Sequence, residues 1–191
     1  IRHAKSSWAD DGLRDHERPL NNRGLKQLEP MGRAIRAEGA LDGTVYCSNA
    51  ARARQTLEGL IPSNLHHTVN LAPALYTFNH EVVLDWLRDR SEDGITLIGH
   101  NPALEDLACL LLKHAPDAFP TCSCMHIALP IEHWHEIGKN KGRLEKLLTP
   151  NDVSYEQFHR KRTKIHIDEH LPLPGHIPES LLHQYQRIRD L

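Results

Sequence analysis

Along most of the chain, short apolar runs alternate with longer stretches in which apolar positions return every three or four residues. That is the pattern of strands and amphipathic helices taking turns, and it points to an α/β fold. Leu25, Leu28, Met31 and Ile35 recur at helical spacing. Pro30 is expected to kink or restart that helix, and Gly39 to end it. Thr44 to Cys47 reads as a short buried strand, after which Ser48-Asn49 can cap a helix carrying Ala53, Leu57 and Leu60. His66 to Leu71 reads as another strand, and Asn79 can cap a helix with Val82, Val83, Trp86 and Leu87 on one face. The clearest unit spans residues 95–113: a strand, a tight turn and a helix. Ile95 to Gly99 forms the strand, and His100 stands at its carboxyl end. Asn101 suits a cap and Pro102 a first helical position, ahead of the stripe Leu104, Leu107, Ala108 and Leu111. In open α/β sheets ligands gather outside the carboxyl ends of strands, so His100 is placed where chemistry is expected. Residues 125–137 read as an edge hairpin interrupted by Pro130.

The texture changes after Pro150. Residues 151–177 show little helical periodicity, a basic run from His159 to Lys164, and two prolines, Pro172 and Pro174. A last helix is expected from Pro178, with Leu181, Leu182, Tyr185 and Ile188 on one face. The chain therefore divides into a domain over residues 1–150 and an appendage over 151–191. The appendage is expected to pack on the domain or on a second subunit, which allows a homodimer. The basic run is read as a solvated arm.

Composition narrows the classes. At 191 residues and 39% hydrophobic, the chain can build a core without disulfides or metals. Its 23 basic and 25 acidic residues give a net charge of −2, with no electrostatic footprint for nucleic acid or an anionic membrane. No apolar run approaches the length of a membrane span. Cys47, Cys109, Cys122 and Cys124 form no C-x-x-C pair and read as the reduced thiols of a cytoplasmic protein. Histidine is abundant, with 15 copies. His133-x-His135 and the segment from His166 to His170 carry ligand-like residues, yet neither completes a tetrahedral set with recognisable spacing. No metal and no cofactor is expected.

Four segments carry a resemblance. Arg2-His3-Ala4-Lys5-Ser6 follows Ile1, which reads as the end of a first strand that is truncated in this sequence. Arg18-Pro19-Leu20 through Gly24, Ser48 through Thr56 with Arg52-Ala53-Arg54-Gln55-Thr56, and Gly99-His100-Asn101-Pro102 follow in order. Together they resemble the histidine phosphatase superfamily, and the R-H-A-K-S opening is similar to its SixA-type phosphohistidine phosphatases. The resemblance spans residues 1 to about 150. It implies a three-layer α/β/α sandwich with a mostly parallel central sheet, of the phosphoglycerate mutase-like kind. It also implies metal-independent phosphatase chemistry in which His3 is the nucleophile.

The residue types suit that chemistry. Phosphoryl transfer without a metal needs a nucleophile and a cage of donors for the phosphoryl oxygens. The resemblance makes Arg2 and Arg52 guanidinium clamps. His100 would be a further donor, as the imidazolium, and Arg18 a third guanidinium at the rim. Asn101 either adds its amide or only caps its helix. Family members that act on phosphate esters usually carry a carboxylic acid for the leaving oxygen, and Thr77 stands near the place where that acid is expected. Glu81, Asp10, Asp15 and His16 are weaker candidates near the site. The preferred substrate is phosphohistidine on a protein. The alternatives are a small-molecule phosphomonoesterase and a catalytically silent phosphate- or phosphoprotein-binding module.

Overall fold

The computed structural model describes residues 1–61 and 69–153. Residues 154–191, which hold all but the first three residues of the expected appendage, with its final helix and the His166–His170 cluster, lie outside the described residues, as does the start of the strand expected at His66.

Three short parallel strands form the central sheet in the order β2-β1-β3: β1 at Thr44–Cys47, β2 at Val69–Leu71 and β3 at Ile95–Ile98. Val45 pairs with Val69 on one side and Thr96 on the other. The period-two alternation of a strand sends its side chains to both faces of the sheet. Val45, Cys47 and Ile98 enter one core, with Leu28, Met31 and Ile35 of helix α1 (Asn22–Ala37) and Ala53 and Leu60 of helix α2 (Ala51–Leu60). Tyr46, Ile95 and Leu97 meet the other, with Val83, Leu84 and Leu87 of helix α3 (His80–Arg88) and Leu107 and Leu111 of helix α4 (Ala103–Leu111). A helix layer on each face of a parallel sheet is the α/β/α sandwich that the resemblance implies. Strands β4 (Cys124–Ala128) and β5 (Arg143–Leu148) pair antiparallel, with a register shift between His126 and Ile127.

Several local expectations need correction. Helix α1 runs unbroken through Pro30. Proline removes a donor to the carbonyl four residues back, and that residue, Lys26, is exposed, where solvent can serve its carbonyl. Leu25 is half exposed, while Gly24 is buried. A Cβ at Gly24 would stand 2.4 Å from the Lys5 carbonyl oxygen, so the first turn of α1 needs a glycine to seat against the Lys5 backbone. Gly39 does end the helix. Its φ is +66°, and the Gly39 and Ala40 amides return to the carbonyls of Arg36 and Ile35, the paired bonds of a Schellman stop. Ser48 and Asn49 do not cap α2; its cap position is Ala50, which makes no side-chain capping bond. The hairpin expected within residues 125–137 does not form. β4 pairs instead with β5, and Pro130 begins the connection between them, which contains a short 3₁₀ turn at Trp134–Glu136. His133 and His135 lie in that connection with their rings stacked at 5.4 Å, not on one strand face.

Candidate active site

The site forms at the carboxyl ends of the parallel strands. Arg2 bridges Gly99 in parallel register, the His3 amide donates to the Gly99 carbonyl (3.1 Å), and the Gly99 amide donates to the Ile1 carbonyl (3.0 Å). This ladder sets His3 beside His100, the residue that follows β3 and its bridge. Their ring centroids are 5.0 Å apart. β1 ends at Cys47, and the chain turns through Ser48 into α2, whose first turn carries Arg52. His3, Arg52 and His100 are 8%, 3% and 1% exposed, unusual burial for such polar groups.

A hydrogen bond fixes the tautomer of His3, and burial sets the charge of both imidazoles. His3 Nδ1 lies 2.7 Å from the Ala4 carbonyl oxygen, which can only accept, so Nδ1 carries the proton. That leaves Nε2 unprotonated, and Arg52 Nε donates toward its lone pair at 3.3 Å. Burial pushes the His3 pKa down to about 4, and the charges of Arg52, Arg2 and Arg18 push the same way against the Ala4 carbonyl bond. Burial, with His3 and Arg52 beside it, lowers His100 to about 3. Both rings are therefore neutral near pH 7, which corrects the expectation of an imidazolium at His100. His100 Nε2 pairs with Ser48 Oγ at 2.8 Å, while its buried Nδ1 has no hydrogen-bond partner among the described residues. The same holds for Nε of Arg2, whose Nη1 is tied to the Phe119 carbonyl at 2.7 Å. Buried polar atoms without partners on two of the motif residues are donors that an oxyanion could satisfy.

Arg18 is not at the rim. It is 7% exposed, with its donors engaged by the Ser7 carbonyl, Asp15 Oδ1 and Ser6 Oγ, and its guanidinium lies against the Trp8 ring. Arg18 thus acts as a strut for the loop that follows the first motif. Asn101 makes no cap. Its amide donates to Glu105 Oε2 and the Phe119 carbonyl, which anchors the loop that holds Arg2. Glu81 and Asp10 are exposed and hold no part of the site: the Glu81 amide is bound by its cap, Asn79, and Asp10 binds the Gly12 amide. Thr77 Oγ1 accepts from the Asn79 amide.

Other residues enter that sequence reasoning passed over or ranked low. The Asp15 carboxylate binds Arg52 Nη2 (2.9 Å), Arg18 Nη1 (3.0 Å) and the Tyr76 hydroxyl (2.8 Å). Burial would raise its pKa, but the Tyr76 hydroxyl and the two guanidinia outweigh this and hold it below the ordinary range. Thr56, fully buried, accepts from the Ala4 amide at 2.9 Å and donates to the Arg52 carbonyl at 2.7 Å, linking α2 to the His3 segment. His16 Nε2 meets Asn49 Oδ1 at 2.9 Å. The Gln55 side chain of the same motif accepts from the Leu20 amide, so the second and third motifs hold each other. Cys47 and Cys122 are buried free thiols, with pKa values pushed up by burial to about 12, and are inert at neutral pH. A cavity of about 490 Å³ between β3 and β4 is lined by groups such as Ile1, Leu107 and Ile127, and contains none of Arg2, His3, Arg52 or His100.

Comparison with known proteins places this geometry. Residues 1–79 match the family model of the histidine phosphatase superfamily (branch 1). An uncharacterised Mycobacterium tuberculosis protein is 31% identical over 150 residues, which cover 72% of this chain and 91% of that protein. The chain belongs to the histidine phosphatase superfamily. It is a hydrolase of the histidine-phosphatase type, and an uncharacterised chloroplastic protein of Arabidopsis thaliana is similar to it at 28% identity over 167 residues, 79% of this chain and 76% of that one. Among solved structures, a protein from Agrobacterium tumefaciens assigned as a SixA phosphohistidine phosphatase is 25% identical, with a TM-score of 0.65 over 78% of this chain and 95% of that one. A SixA structure in complex with tungstate shares the fold at 21% identity and a TM-score of 0.63, over 80% of this chain and 96% of that one. This histidine phosphatase is thus similar to SixA-type members over its described core. Among the described residues, no helix is long and apolar enough to cross a membrane. No group of three His, Cys, Asp or Glu among them is arranged to hold a metal ion.

Proposed function

We propose that this histidine phosphatase removes phosphate from phosphohistidine in proteins through a phosphoenzyme on His3. In the first step the Nε2 lone pair of His3 attacks phosphorus. The substrate P–N bond breaks, and its electron pair leaves with the substrate imidazole, which departs neutral because its other nitrogen is protonated. Arg2 Nε, Arg52 and His100 Nδ1 donate to the phosphoryl oxygens while charge builds on them. For His100 Nδ1 to donate, its Nε2 must accept from the Ser48 hydroxyl, and the 2.8 Å contact suits that tautomer. In the second step water attacks phosphorus, the His3 P–N bond breaks, and inorganic phosphate leaves with the water oxygen. The proton that the water sheds stays on the phosphoryl oxygens, so the product leaves as hydrogenphosphate, while Asp15, ionised and bound to Arg52, Arg18 and Tyr76, holds Arg52 in place.

The observation that carries the substrate assignment is the state of Asp15. An alkyl phosphate needs a proton donor for its leaving oxygen, an effect worth about 10²–10⁴-fold. The carboxyl that reaches the reacting centre is ion-paired to Arg52 and Arg18 and therefore ionised. A neutral imidazole leaving group needs no such donor. The test is one preparation assayed on a phosphohistidine peptide, an aryl phosphate, and phosphoglycerate or a sugar phosphate. The expected order of kcat/KM is phosphohistidine, then aryl, then alkyl. If an alkyl phosphate leads, a small-molecule phosphomonoesterase replaces this reading; no turnover on any of them leaves a binding module.

A further inference from the structure

Four aromatic rings adjoin the reacting centre in an edge-to-face chain. Tyr76 meets His100 with centroids 5.4 Å apart, Phe78 meets His100 at 5.8 Å, Tyr76 meets Phe78 at 5.9 Å, and His16 meets Tyr76 at 4.7 Å. These spacings are those of favourable aromatic pairs. The rings differ in what else holds them. His16 is bound by Asn49, and the Tyr76 hydroxyl is bound by Asp15. Phe78 has no polar handle and leaves 49% of its surface in solvent, while the His100 ring it touches is 1% exposed. Phe78 therefore stands between the buried imidazole and bulk water. A half-exposed phenyl ring in that place presents a flat apolar surface beside a site built largely of polar and charged groups.

From this we infer that Phe78, backed by Tyr76, is the platform for the leaving group and selects substrates whose phosphoryl group is attached to a planar ring. The inference rests on the reading above, in which the leaving group is an imidazole, and it names the residue that recognises it. Attack from His3 expels the leaving group on the far side of phosphorus. Phe78 adjoins the His100 ring, which itself adjoins His3, so a ring departing beside His100 can pack on Phe78, whereas an alkyl or amino leaving group gains little from it. Phe78 touches the part of the substrate that departs, so it acts on specificity and not on the phosphoryl cage.

The test compares leaving groups that share a bond type. Phosphohistidine and phosphoramidate both carry P–N bonds, but only the first has a ring; aryl and alkyl phosphates repeat the contrast for P–O bonds. Phe78→Ala should lower kcat/KM about 3- to 10-fold on phosphohistidine and on aryl phosphate, and change it by less than about twofold on phosphoramidate. Phe78→Trp should restore the ring-bearing substrates, and inhibition by inorganic phosphate should not move in either variant. Equal losses on phosphohistidine and phosphoramidate would overturn the platform and make Phe78 a structural lid on His100. No loss on either ring-bearing substrate would also overturn it. If the wild type fails on phosphohistidine but turns over aryl phosphate, the substrate reading falls, and the aryl-to-alkyl ratio in Phe78→Ala still decides the platform.

Discussion

Arg52→Lys separates charge from geometry at the reacting centre. Arg52 spends Nε on His3 Nε2, Nη1 on the Asp15 carbonyl (2.5 Å) and Nη2 on the Asp15 carboxylate (2.9 Å). Only a planar fork can hold these three directions at once, and a lysine ammonium on a flexible stem cannot. The substitution keeps the positive charge, so His3 stays neutral. It removes the planar fork, whose N–H groups not spent on His3 and Asp15 are the donors proposed for the transferring group. Losing one such donor typically costs about 10²–10³ in kcat, or about 2.7–4 kcal/mol. The loss of charge-assisted hydrogen bonds at a buried side chain also costs about 1.5–3 kcal/mol of stability. At roughly 2–4 °C per kcal/mol, the melting point drops by several degrees, so the assay must run well below it. The assay is kcat and KM on a phosphohistidine peptide, with a melting curve to show that the variant is folded. The expected result is a fall in kcat of at least about 10²-fold with a smaller change in KM. A folded Arg52→Lys protein with near wild-type kcat would refute the reasoning, because a point charge would then serve as well as the fork.

Three further outcomes test the supports of the site. Thr56→Val deletes the acceptor of the buried Ala4 amide and should cost about 1–3 kcal/mol in urea denaturation, with Thr56→Ser close to wild type; an equally stable valine variant would contradict the link. Alanine usually improves a helix by about 1 kcal/mol over glycine, but Gly24→Ala should lower the melting point because its Cβ meets the Lys5 backbone; a rise would contradict the packing. In the unfolded chain His3 and His100 take up protons near the ordinary 6.5, but in the fold only near 4 and 3. The unfolded state therefore holds more protons between those values, and stability falls as pH drops from about 6.5 toward 3. That slope should shrink in His100→Asn, and the acid limb of kcat/KM on an aryl phosphate should lie near 4. A limb at 6.5 would mean that His3 titrates as an exposed group.

The sequence was most informative where function depends on local order. β1, β3, the cap at Asn79 and the placement of His100 after a strand all follow from short-range patterns. The fold brings His3, Arg52 and His100 into contact, and pairs the Arg2 backbone with Gly99. What sequence could not show depends on partners far along the chain. Arg18 looks like a rim residue until Trp8 and Ser6 enclose it, and Asn101 looks like a cap until Phe119 and Glu105 take its amide. Ser48 has the right chemistry for a cap, but the ring of His100, 52 residues away, claims its hydroxyl. Asp15 was legible only as an acidic residue near a motif. Its ionised state follows from two arginines and a tyrosine brought to it by the fold. The antiparallel partner of β4 was missed because β5 reads Arg-Leu-Glu-Lys-Leu-Leu, with more charge than a buried strand would carry.

The phosphoenzyme tests the account most directly. Wild-type protein is mixed with phosphohistidine substrate labelled on phosphorus, quenched within milliseconds under alkaline conditions that preserve P–N bonds, and digested for mass spectrometry. The account predicts label on a single peptide at Nε2 of His3, stable to alkali and lost in acid, and absent from His3→Ala. Label on another residue, or turnover that survives in His3→Ala, would contradict it.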